Sequence, residues 1–459
     1  NKSKFKGFNF SKVGKFFNNF YKNNLDFELT NAQKNVIRDI RKDFSTNAQM
    51  NRLLQGDVGS GKTIVALLSC LIAIDNNYQT TIIAPTEILA QQHYNNIGNS
   101  LKDLGLNVKI LTGSTSKKER IDLFDDLKNG LVNILIGTHA VLEDKVAFKN
   151  LGLAIIDEQH RFGVAQRSKL WKKNKIPPHI LVMTATPIPR TLAMSVYGDL
   201  DISVIDELPP GRKPITTVHR TDKNRLQVFK FIKDEVLKER QIYIVYPLIE
   251  ESRTMDYKDL MDGYESIERE FPKNQYQLSI LHGRMKNEDK EYEMNRFKKG
   301  ETQIMVSTTV IEVGVNIPNA SVMIVESAER FGLSQLHQLR GRVGRGSENS
   351  YCILMTKEKI SNDARTRIKT MCSTNDGFKI AEVDMNLRGP GNILGTQQSG
   401  LLNFKIADII KDKDILDLAR DDAKSLLRND PQLRHTDNKE IKEEYGKLNK
   451  NSILWKHIS

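Results

Sequence analysis

Cysteine, tryptophan and long apolar runs are scarce in this chain of 459 residues. Its three cysteines, Cys70, Cys352 and Cys372, are odd in number and far apart, which excludes a disulfide scaffold and predicts free thiols in a reducing cytosol. No uncharged apolar run approaches the roughly 18 residues that a membrane-spanning helix needs. The first residues include neither the apolar stretch of a signal peptide nor an initiator Met, so we expect the chain to begin inside a longer protein.

What the chain does have is the composition of a multidomain globular protein with an excess of positive charge. Hydrophobic residues make up 39% and charged residues 27%, which excludes wholesale disorder. The length predicts about three domains of roughly 150 residues each. Lys and Arg number 69 against 57 Asp and Glu, a net charge of +12. This excess favours an acidic partner, of which nucleic acid is the commonest.

Residues 1–25 form a separate basic and aromatic segment, in which phenylalanines are interleaved with lysines. Aromatic rings among lysines can stack on bases and bind phosphates. Alternatively, the aromatic side of a helix packs on the domain that follows, and this is the interpretation we favour. We therefore predict a connector rather than an independent binding module.

Short apolar runs alternate with helical stretches in two series, which predicts α/β domains with parallel sheets covered on both faces. The first series comprises the runs 52–55, 80–84, 108–111, 133–137, 153–156 and 180–183. The second comprises 241–246, 277–281, 303–306, 321–325 and 351–354. Between them lies Glu207–Pro214, a Pro- and Gly-rich segment that neither a helix nor a strand can cross. The predicted domains are a first over 26–206, a second over 207–356 and a mainly helical C-terminal region over 357–459.

The strongest local pattern is Gly56–Thr63, which matches G-x-x-x-x-G-K-[ST] between a predicted strand and a predicted helix. Its glycines let backbone N–H groups converge on phosphate oxygens at a helix N-terminus. Lys62 can reach the β- and γ-phosphates of a nucleotide, and the Thr63 hydroxyl can complete a Mg²⁺ shell. The cofactor-binding residues predicted in this segment are Gly56, Asp57, Gly59, Ser60, Gly61, Lys62 and Thr63.

A pair of carboxylates follows the apolar run that ends at Ile156. Asp157 at the strand tip is placed to hold Mg²⁺, and Glu158 is placed to polarise the attacking water. His160 is a candidate for sensing the γ-phosphate or relaying its state to the other domain. Acidic pairs are common at strand ends, so this pattern is specific only in combination with the P-loop.

The segment Gln335–Gly346 carries three arginines within six residues, spaced by glycines. Such a segment can simply bind the phosphates of DNA or RNA. A hydrolysis site between two domains, however, needs cations delivered to the γ-phosphate from the second domain. We therefore predict that Arg342 and Arg345 are catalytic.

Taken together, these patterns resemble the two RecA-like lobes of a superfamily 2 helicase or translocase. The intermediate motifs of that superfamily stand in order at Phe27–Gln33, Ala84–Ala90, Leu111–Ser114, Gly137–Ala140, Thr184–Arg190, Leu281–Met285 and Ser307–Ala320. The resemblance implies an α/β fold of two tandem RecA-like P-loop NTPase domains with parallel sheets, plus a mainly helical C-terminal extension. It also implies that Phe27, Gln33 and Gln338 bind the nucleotide. For nucleic-acid binding or coupling it implies Thr86, Gly113, Thr138, Thr184, Thr186 and Thr308.

Some of these motifs match a smaller group of proteins within the superfamily. Asp157–Val164, followed by Thr184–Arg190 with its two prolines, is similar to RecG and to the transcription-repair coupling translocase. The tail, Asp376–Asp384 followed by Leu387–Gly400, resembles the RecG form of the translocation motif. The tail therefore favours RecG over the coupling translocase.

The RecG resemblance extends from about Phe27 to Leu427 and implies that Arg388 and Gln397 couple the motor to DNA. Asn392 and Met385 depart from the usual RecG pattern, which has an acidic residue and Leu at these positions. RecG also carries an N-terminal wedge built on an OB-like fold, for which these residues offer no counterpart. We therefore expect a fragment, a truncated gene product or a divergent copy.

The resemblance implies an ATP-dependent double-stranded DNA translocase that remodels stalled forks and Holliday junctions in recombination and repair, with ATP and Mg²⁺ as cofactors. It implies branched DNA and single-strand binding protein as partners, no membrane, a monomer and a bacterial, cytoplasmic, nucleoid-associated location. The alternative is a fragment of a transcription-repair coupling translocase. An RNA helicase and a catalytically silent DNA-binding scaffold are rivals from other classes, and the intact Lys62, Asp157 and Glu158 argue against the silent scaffold.

Overall fold

The fold is described from a computed structural model of the chain. The described residues are 6–158, 170, 173–174, 176–185, 200–209, 211–247, 253–272, 274–308, 317–346, 348–388 and 412–451. Two parallel β-sheets organise them, one on each side of the Pro- and Gly-rich segment. None of the helices in these ranges combines the length and apolar character that crossing a membrane requires.

The first lobe is built on a seven-stranded sheet of order β3-β4-β2-β5-β6-β1-β7, in which every pairing is parallel. Its strands are β1 (Asn51–Gly56), β2 (Gln79–Ile83), β3 (Val108–Leu111), β4 (Ile134–Gly137), β5 (Leu151–Asp157), β6 (His179–Thr184) and β7 (Asp201–Ile205). Its helices are α1 (Lys15–Asn19), α2 (Asn31–Phe44), α3 (Lys62–Asp75), α4 (Glu87–Ser100) and α5 (Lys117–Asn129).

Burial on both faces explains why the central strands are continuous apolar runs. One core cluster joins α2, α3 and α4 to one face of the sheet, and a second cluster lies on the opposite face. Helix α3 is apolar all round, and each residue from Val65 to Ile74 is buried. A helix of this kind belongs in the middle of a core, and here it carries the P-loop at its N-terminus.

The second lobe is built on a six-stranded parallel sheet of order β10-β11-β9-β12-β13-β8. Its strands are β8 (Thr216–Thr221), β9 (Gln241–Tyr246), β10 (Leu278–Leu281), β11 (Ile304–Thr308), β12 (Ala320–Val325) and β13 (Tyr351–Thr356). Its helices are α6 (Arg225–Leu237), α7 (Arg253–Glu270), α8 (Asn287–Lys298) and α9 (Leu333–Arg340). Core clusters again cover both faces, which confirms the predicted architecture.

The C-terminal region is helical, with α10 (Asn362–Ser373), α11 (Gly377–Arg388), α12 (Lys413–Asn429) and α13 (Lys439–Asn451). Helices α10 and α11 are integral to the second lobe, because Ile368, Met371 and Ile380 belong to one of its two cores. Any motion of this lobe therefore carries α11 and its last residue, Arg388, with it.

The aromatic N-terminal segment packs on the first lobe, which confirms that interpretation of its sequence. Phe10 and Phe20 are 3% and 1% exposed and belong to the core that contains α3. The Asp75 carboxylate at the end of α3 accepts backbone N–H bonds from Gly14, Phe16 and Phe17 at 2.9–3.1 Å. These bonds cap the start of α1 and attach the segment to the lobe.

Candidate active site

The P-loop joins β1 to α3 in the way its sequence predicts. Gly56 ends the strand, and Lys62 and Thr63 begin the helix. Gly59 and Gly61 have φ angles of +78° and +86°, a region that glycine enters without steric cost. The Lys62 ammonium donates to the carbonyls of Gly56 and Asp57 at 2.8 and 2.9 Å. Burial lowers the pKa of Lys62, and the charges of Glu158 and Asp157 oppose that shift.

Asp157 and Glu158 lie at the end of β5, beside the P-loop. Burial alone would raise the pKa of Asp157, but the hydrogen bond and charge of His93, together with Lys62, bring it below its ordinary value. Burial and the neighbouring Asp157 charge raise the pKa of Glu158. The two adjacent carboxylates thus differ in proton affinity in the way that a metal ligand and a base require.

His93 is a site residue that the sequence interpretation missed. Its Nε2 lies 2.9 Å from Asp157 Oδ2, and the side chain projects from α4. The two residues are 64 positions apart, so no local pattern marks the pair. Only the packing of α4 against the sheet brings them together.

The second lobe supplies arginines to the same site. Arg342 and Arg345 lie in the loop after α9, and Arg342 is close enough to Glu158 and Asp157 for their charges to act on its pKa. Burial lowers the pKa of Arg342, and those charges oppose the shift. Burial, followed by the charges of Arg342 and Arg212, lowers the pKa of Arg345 to about 10. The structure thus brings five of the predicted catalytic residues together, namely Lys62, Asp157, Glu158, Arg342 and Arg345.

Helix α9 makes a further contact across the lobes that the sequence did not reveal. His337 Nε2 lies 2.6 Å from Asp57 Oδ1 of the P-loop. Arg340 Nη2 donates to His337 Nδ1 at 3.0 Å, and since a guanidinium has no acceptor, Nε2 carries the proton donated to Asp57. Arg340 Nη1 also donates to the Met371 and Thr374 carbonyls at 2.9 and 2.8 Å. The P-loop is thereby linked through α9 to the end of α10.

A cavity of about 770 Å³ opens beside the P-loop at the predicted base-binding end. Phe27, Gln33, Thr63 and Pro209 are among its lining residues. Phe27 is half exposed, whereas Gln33 is buried, and its amide is engaged by the protein. Gln33 Oε1 accepts from the Thr30 backbone N–H and Nε2 donates to the Ser60 carbonyl, both at 2.9 Å.

Five residues predicted to bind nucleic acid or to couple the lobes lie within the described parts of the two lobes. All five lie at the carboxyl ends of strands. Thr86 follows β2 and caps α4, Gly113 follows β3, Thr138 follows β4, Thr184 ends β6 and Thr308 ends β11. Parallel strands share one carboxyl edge, so those of the first lobe lie on the edge that holds the P-loop. Gln338 is half buried on α9. His160, Thr186 and Gln397 lie outside the described residues.

Three family models match the chain in succession. The DEAD/DEAH box helicase model matches residues 30–195, and the helicase conserved C-terminal domain model matches 227–347. A model described as the C-terminal part of domain 3 of the ATP-dependent DNA helicase RecG matches 374–459. Together with the two parallel-sheet lobes and the site between them, these matches define a superfamily 2 helicase.

Curated relatives make the assignment more specific. The chain is 50% identical over 433 residues to the ATP-dependent DNA helicase RecG of Synechocystis sp., covering 94% of this chain and 52% of that protein. It is also 50% identical over 417 residues to the RecG helicase of Aquifex aeolicus, covering 90% and 52%. A solved structure of RecG bound to a three-way DNA junction superimposes with a TM-score of 0.75 at 44% identity, covering 90% of this chain and 54% of that one.

The chain belongs to the RecG family. It spans about half the length of the curated relatives it matches. The matched C-terminal model agrees with the tail motif and disfavours the transcription-repair coupling alternative.

Proposed function

We propose that this chain is an ATP-driven double-stranded DNA translocase of the RecG type, acting on forks and Holliday junctions in recombination and repair. The observation that carries the proposal is the juxtaposition of the P-loop, the Asp157–Glu158 pair and the arginines of the second lobe in one partly buried site. A P-loop alone binds nucleotide. The arginines from a second lobe make hydrolysis dependent on the relative position of the two lobes.

In this proposal, ATP lies between the lobes with its base in the cavity near Phe27 and Gln33. Lys62 and the P-loop amides hold the phosphates, and Glu158 orients the attacking water. Arg342 and Arg345 neutralise the charge that develops on the transferred phosphoryl group. His160 and Gln338 are proposed to sense the nucleotide at the edges of this site.

Mg²⁺ fits the oxygen donors of the site. The ion prefers one or two protein oxygen ligands together with substrate phosphates. The Thr63 hydroxyl and the Asp157 carboxylate supply such ligands, and the lowered pKa of Asp157 keeps its carboxylate ionised. Bound there, Mg²⁺ would supply charge neutralisation between the β- and γ-phosphates.

DNA is proposed to bind along the carboxyl edges of both sheets, where Thr86, Gly113, Thr138, Thr184 and Thr308 lie. Thr186 belongs to the same coupling segment. Arg388 and Gln397 would convert lobe closure into DNA movement. The packing of the helix that ends at Arg388 into the second lobe supports this proposal. Single-strand binding protein as a partner, a monomeric state and a nucleoid-associated location remain predictions.

ATP hydrolysis measured with forked DNA, linear duplex or RNA tests the proposal. We expect duplex-containing DNA to raise turnover at least about tenfold, and RNA to leave it near the unstimulated rate. Lys62→Ala serves as the control, and it should abolish most turnover because it removes a cation that stabilises the transferring phosphate. Stimulation by RNA alone would favour an RNA helicase, and no turnover with any of the three would leave only a DNA-binding scaffold.

A further inference from the structure

Arg212 lies in the Pro- and Gly-rich interlobe segment, Glu207–Pro214, and contacts both halves of the active site. Its Nε donates to the Gly344 carbonyl at 3.2 Å, and its Nη1 donates to the Val58 carbonyl. Val58 belongs to the P-loop, and Gly344 lies between Arg342 and Arg345. A single side chain therefore connects the phosphate-binding loop of the first lobe to the arginine loop of the second.

Arg212 and its neighbours are closely packed against both loops. A Cβ atom added at Gly59 would come within 2.2 Å of Arg212 Nη1. On the other side, a Cβ at Gly344 would come within 2.9 Å of Ile215 Cγ1, three residues further along the chain from Arg212. Where the loops meet directly, a Cβ at Gly341 would come within 2.7 Å of Val58 Cβ. The interlobe segment thus packs closely against both loops.

The electrostatics show that Arg212 lies among the cations of the site. Burial lowers the pKa of Arg212, and the Asp57 charge opposes the shift. Its own charge contributes to the lowered pKa of Lys62 and of Arg345. Its two bonded nitrogens are directed to backbone carbonyls, so the side chain acts on the loops that carry the catalytic groups.

We propose that Arg212 is a positioning residue for ATP hydrolysis, which sets the distance between the P-loop and the arginine loop so that Arg342 and Arg345 reach the γ-phosphate. The role requires a planar fork with separate donors, because the two carbonyls belong to different lobes. Lysine presents a single ammonium and does not reproduce that geometry. The inference rests on the proposed ATPase function.

The test compares Arg212→Ala, Arg212→Lys, Arg345→Ala and the Arg212→Ala/Arg345→Ala double variant. Lys213→Ala is the matched control, since Lys213 is the exposed neighbour with the same charge in the same segment. DNA-stimulated kcat and the Kd of a fluorescent ADP analogue are measured for each variant. We expect both Arg212 variants to lose at least about tenfold in kcat while the Kd changes less than about threefold. The kcat loss of the double variant should be smaller than the product of the two single losses, because part of the Arg212 effect acts through Arg345 and residues that act as a unit are not additive.

Three outcomes would overturn the inference. Losses that multiply in the double variant would show that Arg212 acts independently of Arg345. An equal kcat loss in Lys213→Ala would show a general effect of charge in the segment, and normal turnover in Arg212→Lys would show that the fork is unnecessary. If the unsubstituted chain has no DNA-stimulated turnover, it is the proposed function that fails.

Discussion

At the residue scale, Asp157 and Glu158 show how environment assigns different chemistry to adjacent carboxylates. His93 and Lys62 stabilise the ionised form of Asp157, whereas burial beside that negative charge raises the pKa of Glu158. Glu158 also has a φ of +56°, a left-handed conformation that is unusual outside glycine. The strand end thus directs the two side chains into different surroundings.

Glu158→Gln should therefore bind nucleotide normally and hydrolyse it slowly. The amide keeps the shape of the side chain but cannot accept a proton from the attacking water, which predicts a kcat loss of roughly 10²–10⁴-fold. Single-turnover hydrolysis and the Kd of a fluorescent ADP analogue measure the two effects separately. The exposed Glu143 offers a control, since Glu143→Gln should leave both values unchanged. Unaltered single-turnover hydrolysis in Glu158→Gln would reject its role.

The site residues that could be predicted from the sequence are those that belong to short contiguous motifs. The P-loop, the carboxylate pair and the arginine loop are each a short segment with a recognisable spacing. His93, His337 and Arg212, in contrast, contact residues that lie between 64 and 280 positions away in the sequence. Their roles follow from how helices and lobes pack, which a single sequence does not encode as a local pattern.

At the element scale, the central strands were predictable and two edge strands were not. The apolar runs correspond to β1–β6 and β9–β13 within one or two residues. Strands β7 and β8 lie at sheet edges and flank the interlobe segment. They are only partly buried, and β8 reads Thr-Thr-Val-His-Arg-Thr. A half-exposed edge strand has no need of a continuous apolar run, so hydrophobic pattern alone does not reveal it.

The N-terminal connector is attached to the first lobe by a buried histidine. His179 Nε2 donates to the Phe8 carbonyl, and Nδ1 accepts from the Met50 N–H, both at 2.8 Å. Phe10 and Phe44 pack against the same ring. Burial lowers the pKa of His179 to about 4, so the folded protein holds the neutral form.

Acid should weaken this attachment in a defined pH range. Between pH 6.5 and about 4 the unfolded chain binds a proton at His179 that the folded chain excludes, so stability falls as pH drops through that window. Compared with His179→Asn, the stability advantage of the unsubstituted chain should shrink by about 1 kcal/mol from pH 7.5 to 5.5. Thermal unfolding at both pH values measures this change. His139→Asn, at an exposed position, is the matched control substitution, and an equal response of the two variants would contradict the argument.

At the scale of the whole molecule, positive charge is found both in a partly buried site and on the exposed surface. Lys62, Arg342 and Arg345 are partly buried, and burial lowers their pKa values. The net charge of the chain is +12, and most lysines in the described ranges are exposed. Salt screens exposed charges strongly and enclosed charges weakly. DNA binding and nucleotide chemistry should therefore respond differently to ionic strength.

We expect the duplex concentration that gives half-maximal ATP turnover to rise at least about tenfold when the salt concentration is raised from about 50 to about 200 mM. Duplex binding should weaken in this way because several phosphate contacts release counterions. Turnover at saturating duplex should change by less than about twofold over the same range. ATPase titrations with linear duplex at several salt concentrations give both quantities. Replacing chloride with glutamate at equal ionic strength provides a control for specific anion binding to the arginines. If saturated turnover fell in parallel with duplex affinity, the nucleotide site would be as open to solvent ions as the DNA surface, contrary to the partial burial of Lys62, Arg342 and Arg345.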